Sequence, residues 1–135
     1  MKRNDARTTR LTLGQVIVCM GCCCGRTDKG HPEVPVDWLK AEWRRRGLAK
    51  QIQLTISGCL GPCDASNVAL VFIGDQPVWL GGLHERRHFQ ELLEWATVCS
   101  DTGSLRPLPH ALGRFEMQRF REEALGRRPG FEEVA

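Results

Sequence analysis

Six of the chain's seven cysteines fall in two short stretches, Cys19, Cys22, Cys23 and Cys24 in the first and Cys59 and Cys63 in the second. Thiolates gathered in this way are the donor set of a metal centre. Gly21, Gly25, Gly58 and Gly61 stand among them, where they serve tight turns and let backbone N–H groups approach sulfur. Two other chemistries use the same residue types. Thiol–disulfide exchange is suggested by Cys19-Met20-Gly21-Cys22 and by the Gly-Pro-Cys ending at Cys63. A thioredoxin-type site, however, is a C-x-x-C that opens a helix, whose positive end lowers the thiol pKa. Cys59 and Cys63 are one residue further apart and lead into a strand. Tetrahedral zinc also takes four cysteines, although the usual paired C-x2-C knuckles are incomplete here.

The remaining chemistry-bearing residues give less. Cys99 sits alone near the end of a helix and reads as a small core residue. His31, His84, His88 and His110 are scattered, so solvated or capping roles are expected of them; a Rieske-type centre requires two histidines in ligand positions. Trp38, Trp43, Trp79 and Trp95 are expected to pack in the core or at an interface. Arg26 and Lys29 follow the first thiols, where they either offset cluster charge and steer an acidic redox partner or are simply solvated. No nucleophile with a base and an orienter, no phosphate-binding glycine loop and no paired carboxylates lie near the cysteines, so an enzyme is not expected.

The elements that must position these thiols follow from the pattern. With 135 residues and 41% hydrophobic content the chain has the size of one domain with one core. Residues 1–10 are polar and basic, without the apolar segment of a signal peptide, and are expected to be a mobile arm. No apolar run reaches membrane-spanning length, and a cytoplasmic location with no membrane partner is the expectation. In an unexported chain, clustered cysteines serve metal or redox chemistry more often than disulfides, and an odd count of seven pairs badly. The net charge of +3 comes from scattered basic residues without interleaved aromatics, so no nucleic-acid partner is expected.

Residues 11–19 form an apolar run of strand length, read as a central strand covered on both faces. Residues 36–47 place Val36, Leu39 and Trp43 at helical spacing, with Asp37 at the start, arginines at the end and Gly47 as the cap. Residues 51–57 alternate in the period of a strand, 67–73 are apolar and β-branched, and Gly74-Asp75 offers a hairpin turn into 76–80. Pro77 marks that last strand as an edge. A second helix over 85–98 carries Phe89, Leu92, Leu93 and Ala96 on one face. The expected fold is thus α/β and thioredoxin-like, a four-stranded mixed sheet in the order β-α-β-β-β-α over residues 11–100. Residues 101–135 form a C-terminal extension, with an extended linker and then a helix over 110–125 packed on the domain.

If the first two strands are parallel, the loops after both emerge at one edge of the sheet, which makes Cys19 and Cys59 neighbours. For the hairpin to lie on the other side of the first strand, the chain after Cys59 must cross that strand's end and carry Cys63 over Cys22, Cys23 and Cys24. The cysteine pattern resembles that of the thioredoxin-like [2Fe-2S] ferredoxins, which is C-x4-C, a long gap, then C-x3-C. Cys19 and Cys24 match the first pair, Cys59 and Cys63 the second, in the context Gly-Cys-Leu-Gly-Pro-Cys-Asp-Ala-Ser-Asn-Val. The resemblance covers residues 15–98. It implies a [2Fe-2S] cofactor, with Cys19 and Cys24 on one iron and Cys59 and Cys63 on the other, Cys22 or Cys23 being able to replace Cys24. It also implies a low-potential one-electron carrier with a redox partner protein, often a homodimer. The run C-x-x-C-C-C-G further resembles a branch often associated with cobalamin biosynthesis.

Overall fold

A computed structural model of the protein describes residues 8–119. Residues 1–7 of the expected N-terminal arm and 120–125 of the expected C-terminal helix therefore lie outside the described residues.

Strand β1 (Gly14–Cys19) is followed by helix α1 (Val36–Arg45) and strand β2 (Ile52–Ser57), then by strands β3 (Ala69–Ile73) and β4 (Gln76–Leu80) and helix α2 (Arg86–Thr102). This is the thioredoxin-like order. Strands β1 and β2 run parallel with Cys19 beside Ser57, and β1 pairs antiparallel with β3 on its other side. The hairpin of β3 and β4 turns at Gly74, whose φ of +62° a glycine adopts without strain. Gly14 opens β1 with its Cα against β3, where a Cβ would stand 2.4 Å from the Phe72 carbonyl oxygen.

The core lies on one face of the sheet. Val16, Val18, Ile52, Ala69, Val71 and Leu80 are buried there beneath Leu39 and Trp43 of α1 and Phe89, Leu92, Leu93 and Ala96 of α2. Trp43 also donates its indole N–H to the Ile52 carbonyl at 2.8 Å, which ties α1 to β2 without an unpaired polar group. On the opposite face Gln15, Ile17 and Phe72 are only half-buried, and Gln15 bonds to Thr55 at 2.8 Å. The expectation that the first strand is covered on both faces is corrected accordingly. Its unbroken apolar run hides an alternation, because Ile17 faces outward despite being apolar.

The sheet has five strands rather than four. Strand β5 (Glu116–Met117) pairs with β4 through Trp79 and Leu80. The proline rule held for only half of β4. Pro77 lies in the half without an outer partner, whereas Trp79 and Leu80 keep backbone groups that need one. The first part of the expected helix over 110–125 is instead a 3-10 turn, His110–Phe115, buried through Leu112 and Phe115.

Candidate metal centre

Because β1 and β2 are parallel, both cysteine loops leave the same edge of the sheet. The first begins with Cys19, whose N–H bonds to the Val68 carbonyl at 3.0 Å, and then closes a tight turn in which the Gly21 N–H reaches the Cys24 carbonyl at 2.9 Å. Cys22 occupies that turn at a φ of +54°, a left-handed conformation rare for a residue with a side chain. The turn exposes Cys22 and folds Cys24 inward, where Cys19 and Cys24 are 3% and 2% exposed. Gly25 must be glycine, since at φ +70° its Cβ would meet the Met20 sulfur at 2.5 Å.

The second loop turns at Gly61, φ +117°, which lets its N–H point at the Cys59 sulfur from 3.3 Å. It brings Cys59 Sγ to 3.1 Å from Cys63 Sγ. The sulfurs of Cys22, Cys59 and Cys63 all lie within 4.8 Å of one another. Beneath them, Cys19, Cys23, Cys24, Cys59 and Cys63 line one small pocket with Leu60, Pro62 and Val68. All six loop cysteines thus meet at one place, and Cys99, buried in α2, is not among them. The pairs singled out from the sequence are split by depth, with Cys19 and Cys24 inside and Cys59 and Cys63 near the surface. Cys22 is the thiol of the first loop that stands with the outer pair.

The acidities follow this depth. Burial, and then the hydrogen bond with Cys19, pushes the Cys24 thiol up to about 12. At the surface, the thiol of Cys63 and the N–H of Gly61 lower the pKa of Cys59, whereas donating to Cys59 pushes Cys63 up to about 12. The outer pair therefore releases one proton readily and retains the second. A cation bound between them would displace both, as metal binding to thiols requires.

One residue that the residue-type reading passed over holds the two loops together. Asn67 is fully buried; its Oδ1 accepts from the Gly25 N–H at 2.8 Å and its Nδ2 donates to the carbonyls of Pro32 and Leu83, both at 3.0 Å. The only sequence signal was its place in the Asp-Ala-Ser-Asn-Val continuation. The histidines have the expected local roles, since His31 bonds Ser66 at 3.1 Å and His88 accepts the backbone N–H groups at the start of α2. Lys29 reaches the Cys22 carbonyl at 3.4 Å, and Arg26 pairs with Asp28 at 2.7 Å.

No protein-family model matches the chain, and no curated protein matches it. Among solved structures it is similar to a thioredoxin-like [2Fe-2S] ferredoxin from Aquifex aeolicus at 19% identity and a TM-score of 0.47, covering 90% of this chain and 99% of that one. A structure of the wild-type ferredoxin from the same organism, also at 19% identity, has a TM-score of 0.43 and covers 80% of this chain and 99% of that one.

Proposed function

We propose that the protein is a one-electron carrier that binds a [2Fe-2S] cluster through Cys19, Cys24, Cys59 and Cys63. The observation that carries this reading is the convergence of five thiols, from loops far apart in sequence, on one pocket at the carboxyl edge of a parallel strand pair, with a sixth, Cys22, beside Cys59 and Cys63. The donor set fits the group, since such clusters take four thiolates. When bound, the cluster supplies reversible one-electron redox chemistry. The chain's own residues do the rest: Cys24 and Cys19 anchor the inner side, Cys59 and Cys63 the outer, and the Gly61 N–H offers sulfur a hydrogen bond that favours the more negative, reduced state. Cys22, already beside Cys59 and Cys63, is the natural substitute ligand in the first loop.

Arg26 and Lys29 flank the thiols and suit a redox partner with an acidic surface. A homodimer and a place in cobalamin biosynthesis belong to the same reading and rest on the sequence resemblance, and a cytoplasmic setting rests on the sequence pattern of the chain's start. Among the described residues no helix is long and apolar enough to cross a membrane. Sedimentation should give the mass of two chains; a single-chain mass at all concentrations rejects the dimer.

A structural zinc ion is the second reading, favoured by the closeness of Cys22, Cys59 and Cys63. Anaerobic purification followed by visible and EPR spectra and by iron and sulfide analysis separates the two. Red-brown protein with equal iron and sulfide, and a paramagnetic signal that appears on reduction, is the expected result. Colourless protein carrying zinc, or free thiols that exchange with disulfides, rejects the carrier.

A further inference from the structure

Away from the cysteines, the start of α2 and the 3-10 turn His110–Phe115 enclose a cavity of about 580 Å³ walled by Arg87, His88, Glu91, His110, Gly113 and Arg114. The side chain of His88 is only 5% exposed. Its ring is fixed between Phe115, with centroids 4.4 Å apart, and His84, at 4.6 Å. Nδ1 faces the backbone N–H groups of His84 and Glu85, each at 3.1 Å. A backbone N–H can only donate, so Nδ1 must hold a lone pair and the ring proton must sit on Nε2. Burial, and then His84, lowers the pKa of His88, in keeping with a neutral ring.

Arg114 Nη2 lies 3.4 Å from that Nε2, and its guanidinium stacks on Phe115 at 4.7 Å. A guanidinium also only donates. Two donors therefore face each other with no acceptor between them. Glu85 Oε2 is 3.8 Å from Nε2, beyond hydrogen-bond reach, and already accepts from Arg87 at 3.1 Å. Arg114 has no carboxylate partner among the described residues.

We propose that this cavity binds an oxyanion, a carboxylate or phosphate group whose oxygen accepts from His88 Nε2–H and Arg114 together. Such an oxygen satisfies a buried donor that is otherwise unpaired and neutralises a charge that has no carboxylate partner among the described residues. The volume admits a small organic acid or phosphate ester rather than a bare ion alone. A divalent cation is the competing ligand, because ligand atoms of His84, Glu85 and His88 lie within 4.8 Å of one another. It would need the Nε2 lone pair, hence a proton on Nδ1 where two N–H donors already point, and it would sit beside Arg114. Glu91, the acidic residue in the wall, opposes the anion and sets a second expectation.

The test is an NMR titration of the full-length chain with inorganic phosphate and, separately, with acetate, at fixed ionic strength. Histidine nitrogen shifts should show the Nε2-protonated form of His88 before any addition. Saturable shifts should then appear at His88, Gly113 and Arg114 with at least one anion. Saturation by phosphate alone assigns phosphate chemistry, and saturation by acetate assigns carboxylate chemistry. Arg114→Gln should weaken binding about tenfold, Glu91→Gln should strengthen it, and Lys50→Gln, on the far side of the fold from α2's start, should leave it unchanged. An Nδ1-protonated His88, non-saturating responses to both anions, equal binding by Arg114→Gln, or zinc capture at His88 would each overturn the proposal.

Discussion

At the scale of single residues, Asn67 ties together the segments around the candidate metal centre. Its amide is fully buried and bonds to three separate segments, the turn after Cys24, the approach to α1 and the approach to α2. Alanine there would strand the Gly25 N–H and the carbonyls of Pro32 and Leu83. The expected cost is about 2 kcal/mol or more, since buried groups left unpaired lose their full desolvation energy. A lowered urea midpoint with an unchanged slope is the expected readout; an unaltered midpoint would show that water replaces the amide without loss. The thiols were legible in the sequence because their type and spacing have little other use. Asn67 was not, because an asparagine in a turn has many local uses and its partners are dozens of residues away. The same holds for the grouping of His88, Arg114 and Phe115, of which the sequence shows only two histidines one helical turn apart.

At the scale of elements, the close fit of β1 against β3 is set where Gly14 meets Phe72. Gly14→Ala would put a methyl group 2.4 Å from a backbone oxygen that cannot rotate away. The strands must separate, and a loss of about 1–3 kcal/mol is expected from overpacking of this kind; thermal unfolding at the wild-type temperature would show that the pair yields freely. The four longer strands and both helices were readable, since each carries an apolar period and a turn or cap at its ends. Strand β5 was not. Two residues, Glu116 and Met117, have no period, and they become a strand only because Trp79 and Leu80 present free backbone groups. The expected helix over 110–125 failed in its described part for a related reason: Phe115 packs on His88 and Glu116 is taken into pairing with Leu80.

At the scale of the whole molecule, the two helices are linked by a charge relay on the surface. Glu42 pairs with Arg45 at 2.6 Å and Arg46 at 3.2 Å, and Arg46 continues to Glu94 of α2 at 3.0 Å. The Arg45 hydrogen bonds, foremost, hold the Glu42 carboxyl down to about 2. A carboxylate whose pKa is lower folded than unfolded stabilises the fold above the unfolded value. That contribution is lost as pH falls from the ordinary glutamate range toward 2. Urea midpoints measured from neutral pH downward should fall across this window, and Glu42→Gln should fall less steeply; parallel curves would exclude the relay.

The parallel pairing of β1 and β2 has a further consequence, for the order of events during synthesis. A chain leaving the ribosome presents Cys19, Cys22, Cys23 and Cys24 before α1 and β2 have emerged, and Cys59 and Cys63 only after them. The four early thiols have no fixed partners until a strand, a helix and a second strand have folded back. During that interval they are open to oxygen and to one another. Closure of the sheet removes Cys19 and Cys24 from that exposure and leaves Cys22 and Cys59 at the surface.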